Sequence, residues 1–463
     1  MDSLPEQTAA IAQTAPITAR IILPEDHPIT PEQIDRDALF VLKKLAHAGF
    51  SGYLVGGGVR DLYLGKAPKD FDISTDARPG QLRKLFANSN TIGRRFRLVQ
   101  VFFKGGKTIE ISTLRSLSEH DMDGPEEVLA ANNTFGTLSE DARRRDLTIN
   151  SLFYEIEKGT IIDYVDGTSD LENGIIRIAG DPARRIGRDP VRMMRAIRHA
   201  ARNNFLIETE TWNAICSHSD KLCLCPPSRL RDELLKDLYD GVSAQWFQLA
   251  YDSGIFFSLF PFYRKIFVKP SDPPHASKNL LTRIFQTIDR ANTLAVSRHI
   301  HRQPDYFLFA LLLIPWVDAR WQLFSEFRKS NALFQLAAQI RDEIDRTIGV
   351  SLNLRRSLRQ ETVNLLVNLA LLLHNKEANG WPKWLKRKSY YARAQLFYRF
   401  YLEALTGESL DDELLSSNSI AQAKAVLPPQ LAQTETVDKT HSAAKCKPSF
   451  SNKTKGGIFG FKK

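Results

Sequence analysis

The segment 54–75, LVGGGVRDLYLGKAPKDFDIST, constrains this chain more than any other feature. A short apolar run, Tyr53-Leu54-Val55, meets three glycines, Gly56-Gly57-Gly58, and then a helix-like stretch, VRDLYLG. Glycines let backbone N–H groups approach a ligand closely, and a helix N-terminus favours an anion. Further on, Asp70 and Asp72 sit two apart where a strand over Phe71–Thr75 is predicted to begin, and on a strand that spacing points both carboxylates to one face. Paired carboxylates beside a phosphate cradle are one way to hold Mg²⁺ against a nucleotide. Separately, a glycine triplet is usually a turn and D-x-D a solvated strand edge. Together and in this order they are far more specific. The glycine pattern is neither G-x-x-x-x-G-K-[ST] nor G-x-G-x-x-G followed by an acid, which excludes the P-loop and Rossmann readings.

Around this segment the first 180 residues alternate strand and helix signals. Pro31, with Thr30 as N-cap, opens a predicted helix that ends at Gly49. Strands are expected over Leu98–Phe103 and Thr108–Thr113, joined by the turn Lys104-Gly105-Gly106-Lys107. After Gly180 helical periodicity takes over and runs to about residue 425. The expected organisation is a flexible leader (1–20), a mixed α/β head (21–180), a helical neck (181–241), a helical body (242–425) and a disordered basic tail (426–463). A hydrophobic fraction of 43% excludes wholesale disorder, and no stretch reaches the length and apolarity of a membrane span. With acidic residues at the start and no signal pattern, a cytoplasmic protein is expected. The formal charge is +10, and the seven lysines of 439–463 meet no acid there. Such a balance favours a polyanionic partner, nucleic acid first, against the plainer role of a solubilising tail.

Residues 143–152, RRRDLTINSL, read locally as a basic segment with Asp146 as a cap. In RDPVRMMRAIR (188–198), Asp189, Arg192, Arg195 and Arg198 recur every three residues and form a slowly winding polar band on a helix. Taken plainly, that is an amphipathic basic helix.

LVGGGVRD…LG…KDFDIST resembles the head-domain signature of the class II nucleotidyltransferases of the DNA polymerase β-like superfamily, which comprise tRNA CCA-adding enzymes and bacterial poly(A) polymerases. The resemblance implies a polymerase β-like head followed by all-helical domains. It implies that Asp70 and Asp72 bind two catalytic Mg²⁺ ions, and that Gly57 and Arg60 contact the triphosphate. RRRDLTIN resembles the family's R-R-D-x-T-x-N motif, which assigns nucleotide contact to Arg145, ribose support to Asn150 and a third active-site acid to Asp146. Glu110, on a neighbouring predicted strand, competes for that third place; Asp146 is preferred on motif match. RDPVR resembles the base-selecting motif E-D-x-x-R, so Asp189 and Arg192 would read the base edge, with Arg195 and Arg198 on phosphate. Arg188 replaces the family's Glu and reverses a charge beside Asp189.

Within the family, the GGG run, GRRFRLV (93–99), the leader IILPEDHPIT and CPPSRL (225–230) resemble the poly(A) polymerase form. The expected activity is therefore template-independent polyadenylation of RNA 3′ ends with ATP as substrate. The alternatives are a CCA-adding enzyme, or an RNA-binding homologue that has lost catalysis, suggested by Arg188. An RNA surface is expected where Lys383, Lys386, Arg387, Lys388 and Arg393 interleave with Trp and Tyr, and Arg355-Arg356 is a further candidate. Two clusters carry no expected site. Cys216, His218, Cys223 and Cys225 lack a standard zinc spacing, and His120-Asp121 reads as a solvated loop.

Overall fold

The computed structural model describes residues 18–93, 98–116, 135–267, 276–326, 330–377 and 380–408. The leader up to residue 17, four residues of GRRFRLV, the His120-Asp121 pair and the basic tail lie outside the described residues.

The head is built on one eight-stranded sheet. Its strands are β1 (Arg20–Ile22), β2 (Gly52–Val55), β3 (Asp72–Thr75), β4 (Ser89–Ile92), β5 (Leu98–Phe102), β6 (Thr108–Thr113), β7 (Phe153–Glu155) and β8 (Thr160–Asp163). Their spatial order is β1-β8-β7-β2-β3-β6-β5-β4, with β3 and β6 parallel and every other pair antiparallel. The predicted 104–107 turn is present, with Gly105 and Gly106 both at positive φ. Strand alternation sorts the sheet into two faces. One buries Leu54, Ile73, Val99, Ile111, Tyr154 and Ile161 in the main core. The other carries a small apolar cluster of Val55, Leu114, Ala142 and Phe153, and beside it a polar row.

The first helix, α1 (Arg36–His47), begins five residues later than the sequence suggests. Thr30 and Pro31 cap only a single 3₁₀ turn, because Ile34 is extended. Asp35 then caps α1, accepting from the amides of Asp37 (2.8 Å) and Ala38 (3.3 Å). The leader segment is an edge strand: β1 pairs with β8, and His27 Nε2 lies 2.7 Å from the Gly159 carbonyl.

Helix α2 (Gly57–Tyr63) follows the glycines, and α3 (Leu138–Arg144) lies against the second face. The helical region opens with α4 (Pro182–Arg188), α5 (Val191–Asn203) and α6 (Pro227–Tyr239). Beyond them come α7 (Ser243–Asp252), α8 (Ala276–Ser297), α9 (Asp305–Trp321), α10 (Arg356–His374), α11 (Lys383–Lys386) and α12 (Tyr391–Thr406). Helix α9 is apolar on all sides because it is central: residues 307–317 are all buried. Phe247 of α7 stacks on Phe285 of α8 at 4.6 Å, and Phe307 of α9 meets Phe397 of α12 edge-on at 5.0 Å. Among the described residues no helix is long and apolar enough to cross a membrane.

Candidate active site

The polar row of the second sheet face holds the candidate site. Asp72 opens β3 and lies in register with Val55 on one side and Glu110 on the other. Two residues on, Ser74 and Ser112 face each other with hydroxyls 2.9 Å apart. Asp70 lies on the approach to β3 rather than within it, so the strand begins one residue later than Phe71. Burial pushes the Asp72 carboxyl up to about 6, and the neighbouring charges of Glu110 and Asp70 push the same way against Arg145. Glu110 accepts a hydrogen bond from Gln100 Nε2 at 3.0 Å.

The glycine turn stands directly over this point. Gly56 has φ +70, and a Cβ there would sit 3.9 Å from Asp72 Oδ2 and 3.7 Å from Arg145 Nη1. Arg145 is held firmly: Nη2 donates to Ser74 Oγ (3.0 Å) and Asp141 Oδ2 (2.9 Å), and its guanidinium lies 5.2 Å from the Phe153 ring centre. A polar cavity of about 260 Å³ continues from here toward the neck, lined by Arg115, Arg144, Arg145, Arg192 and Arg195 with Ser112, Asp141, Asp146 and Asp189. Burial, with the charge of Arg144 beside it, lowers Arg115 to about 10, still well above neutral pH. Five cations against three carboxylates suit a polyanion.

The base-reading candidates sit at the far end of this cavity. Arg229 of α6 grips Asp189 with two bonds, Nη1–Oδ1 at 2.7 Å and Nη2–Oδ2 at 2.9 Å. Arg192 donates Nη1 to the Arg145 carbonyl (2.8 Å) and Nη2 to the Arg144 carbonyl (3.1 Å), which ties α5 to the head. The Arg188 side chain makes no hydrogen bond or ion pair with the described residues, and Asp189 is paired with Arg229 and, at 4.0 Å, with Arg192.

Several expected residues are engaged in buried pairs. Asp146 is paired with Arg195 at 2.9 Å; burial raises its pKa, but Arg195 and Arg192 outweigh burial and hold it well below the carboxylate range. Glu110 is the acid in register with Asp72, while Asp146 lines the cavity toward the neck. Arg60 is 3% exposed and faces inward. It donates to Asp61 Oδ1 (2.7 and 2.9 Å) and to Asn150 Oδ1 (2.7 Å), and lies 3.3 Å from His199 Nδ1. Burial and the Arg60 charge keep His199 neutral, well below its usual range. Arg60 and Asn150 therefore brace the glycine turn from behind and do not line the cavity. Arg198, 11% exposed, is bound to Glu233 (2.6 Å) and Asp237 (2.5 Å) of α6. It locks two neck helices together. Lys383, Lys386, Arg387, Lys388 and Arg393 are all exposed, with Trp384 among them 50% exposed.

The donor set fits a divalent cation. Asp72 and Glu110 are hard oxygen ligands crowded against each other, and their mutual repulsion is what a cation would relieve. Among the described residues no three ligating side chains converge into a ready-made cage. Mg²⁺ ordinarily binds through one or two carboxylates completed by substrate phosphates and water, so an open site is the expected form.

Comparison with known proteins agrees with this geometry. Residues 52–177 match the Poly A polymerase head domain, and residues 204–266 match the family described as the probable RNA and SrmB-binding site of polymerase A. Poly(A) polymerase I of Escherichia coli O6:H1 is 37% identical over 328 residues, covering 69% of each chain. The chain belongs to the poly(A) polymerase and CCA-adding nucleotidyltransferase family. Within this family, the CCA-adding enzyme of Lactobacillus helveticus is 34% identical over 304 residues, covering 65% of this chain and 70% of its own. The fold is that of the Bacillus stearothermophilus CCA-adding enzyme solved in complex with CTP, with a TM-score of 0.60 at 22% identity over 86% of this chain and 83% of that one. Nucleotidyltransferases of this family use a nucleotide and a divalent metal, in keeping with the acidic pair and the arginine cavity. Arg229, Arg115 and Asp141 were not singled out in the sequence as site residues. Arg229 stands in the quoted CPPSRL stretch, but nothing local shows that it reaches Asp189, 40 residues away.

Proposed function

We propose that this chain extends RNA 3′ ends with AMP drawn from ATP, without a template and with release of pyrophosphate. The observation that carries this reading is the fixed pair Asp189–Arg229 with Arg192 anchored on head carbonyls. A base-reading pair clamped from both domains suits an enzyme that accepts one base throughout, whereas a CCA-adding enzyme must accommodate two. The higher identity to poly(A) polymerase I supports the same choice.

In this reading the RNA 3′-oxygen attacks the α-phosphorus, the bond to the β-phosphate oxygen breaks, and the hydroxyl proton passes to solvent. Two Mg²⁺, held by Asp70 and Asp72 with Glu110 alongside, would supply Lewis-acid stabilisation of the reacting oxygens. Arg145, fixed at the glycine turn, orients the triphosphate. Gly57 keeps the turn narrow, its would-be Cβ lying 3.4 Å from Arg60 Nη2. Arg195 adds positive charge to the cavity, although Asp146 holds it. Asp189 offers acceptors and Arg192 donors to the adenine edge. Lys383, Lys386, Arg387, Lys388 and Arg393 provide an exposed phosphate-binding strip. A cytoplasmic location is part of this reading, in keeping with the bacterial poly(A) polymerase I relatives.

The second reading, CCA addition, is favoured by the likeness to solved CCA-adding enzymes. One assay separates the two: Mg²⁺ and each nucleotide in turn, with generic RNA or with tRNA lacking its 3′ end. Long A tracts on generic RNA are expected. Arrest after three additions on tRNA overturns the reading, and binding without extension returns the chain to a non-catalytic role.

A further inference from the structure

A second groove, about 560 Å³, lies at the seam of neck and body and takes no part in the chemistry above. Its walls are Arg231 and Leu235 of α6, Tyr306 at the start of α9, and Arg355, Leu358 and Glu361 at the start of α10. Its volume is that of a small-ligand site. Tyr306 is half-buried with a cation on one side: the Arg393 guanidinium lies 5.6 Å from its ring centre. The acids around the groove are already engaged. Asp232 is bound by Arg231 (2.8 Å), Asp305 accepts from Tyr239 (2.8 Å), and Glu361 pairs with Arg393 (3.5 Å). Arg355 is exposed, and its side chain makes no hydrogen bond or ion pair with the described residues. The lining counts two arginines against three acids, two of which are held in ion pairs, so the groove offers an aromatic ring, apolar walls and one arginine side chain not committed to an acid. Of common ligands, single-stranded nucleic acid matches that combination, through base stacking and phosphate pairing.

Its position in the chain gives it a route to the cleft. Helix α6 carries Arg229 at Asp189 and, six residues on, Leu235 in the groove wall, about 9 Å further along the axis at 1.5 Å per residue. At its outer edge Arg393 ends the exposed strip that starts at Lys383. We infer that this groove binds a nucleotide of the RNA strand a few positions upstream of the reacting 3′ end, its base against Tyr306 and its phosphate on Arg355. The inference rests on RNA being the substrate.

The full chain, without nucleotide or Mg²⁺, is titrated with a fluorescent single-stranded RNA of about 15 nucleotides. Tyr306→Leu is expected to weaken binding about 5- to 100-fold, the effect of losing one stacked base. Arg355→Glu weakens binding and lowers the salt slope by about one. Tyr306→Phe keeps the ring and the affinity, and Arg320→Glu, an exposed arginine at the other end of α9, leaves affinity unchanged. RNA carrying 5-iodouracil near its 3′ end should cross-link to Tyr306 on irradiation. If Tyr306→Leu fails to fold, Arg355→Glu and the cross-link decide. Unchanged affinity in the variants, or cross-links that map only elsewhere, overturns the groove. Adenylylation is measured separately: RNA bound as described but never extended would sink the proposed activity and leave the groove standing.

Discussion

Two sets of arginines come from the same motifs and do opposite work. Arg145, Arg192 and Arg195 line an open cavity, while Arg60 and Arg198 are sealed in the joints of the fold. Arg192, Arg195 and Arg198 differ only by steps of three residues. At 3.6 residues per turn, each such step falls about 60° short of a full circle, so the band winds from the cavity into the α5–α6 interface. A sequence repeat of three thus marks a change of environment along the helix, not a row of equivalent ligands. The consequence is testable: removing a member of the first set should cost activity, and removing one of the second should cost stability.

The largest effect bounds the comparison from the side of chemistry. Asp72→Asn should lower adenylylation by at least about a thousandfold, with circular dichroism and melting temperature unharmed, since the change relieves repulsion with Glu110. A variant with near-normal turnover in Mg²⁺ would remove Asp72 from the mechanism. Next, Arg198→Met strands Glu233 and Asp237 in the neck and should destabilise the protein by about 3–5 kcal/mol, read by urea denaturation. Arg145→Met should do the reverse, lowering kcat/KM about a hundredfold or more with a small change in stability. Should the two variants show the same ratio of stability loss to activity loss, the division between the sets fails.

A subtler effect concerns Arg229. Arg229→Met frees Asp189 and should relax the preference for ATP over CTP by about five- to thirtyfold, the worth of a charged hydrogen bond. Arg188→Glu should leave that ratio unmoved. A shift produced by Arg188→Glu and not by Arg229→Met would reverse the assignment.

The smallest effect is in pH. The folded Asp72 pKa of about 6 lies above its ordinary value of 3.8, so the folded, metal-free protein holds the extra proton between those pH values. Its contribution to stability is present at low pH and is lost as pH rises toward and past about 6. Melting temperature measured from pH 4.5 to 7 in EDTA should carry this downward term, and Asp72→Asn should flatten it. Identical pH profiles for both proteins would contradict it.

How much of this was legible in the sequence differs by element. The strands over Leu98–Phe102 and Thr108–Thr113 and the turn between them were readable from alternation and two glycines. So was the meeting of glycine turn and acids, because it lies within one short segment. The edge strand of Arg20–Ile22 was not: its partner is some 140 residues away, and three residues carry no periodic signal. The acid in register with Asp72 was not legible for a related reason. Asp146 had the motif, but Glu110 had the register, and register between β3 and β6 is a property of the sheet. The bond between Arg60 and Asn150 was not legible either, because a motif reports which residues recur together and not whether they touch each other.

The clamp on Asp189 and Arg192 belongs to neither domain alone. One ligand comes from the neck helix α6, the others from carbonyls of the head. Any swing that parted head from neck would dissolve the sieve for the incoming base at the same moment as it opened the cleft. If Asp189 and Arg192 read the base as proposed, selection of the nucleotide depends on head and neck staying joined between additions.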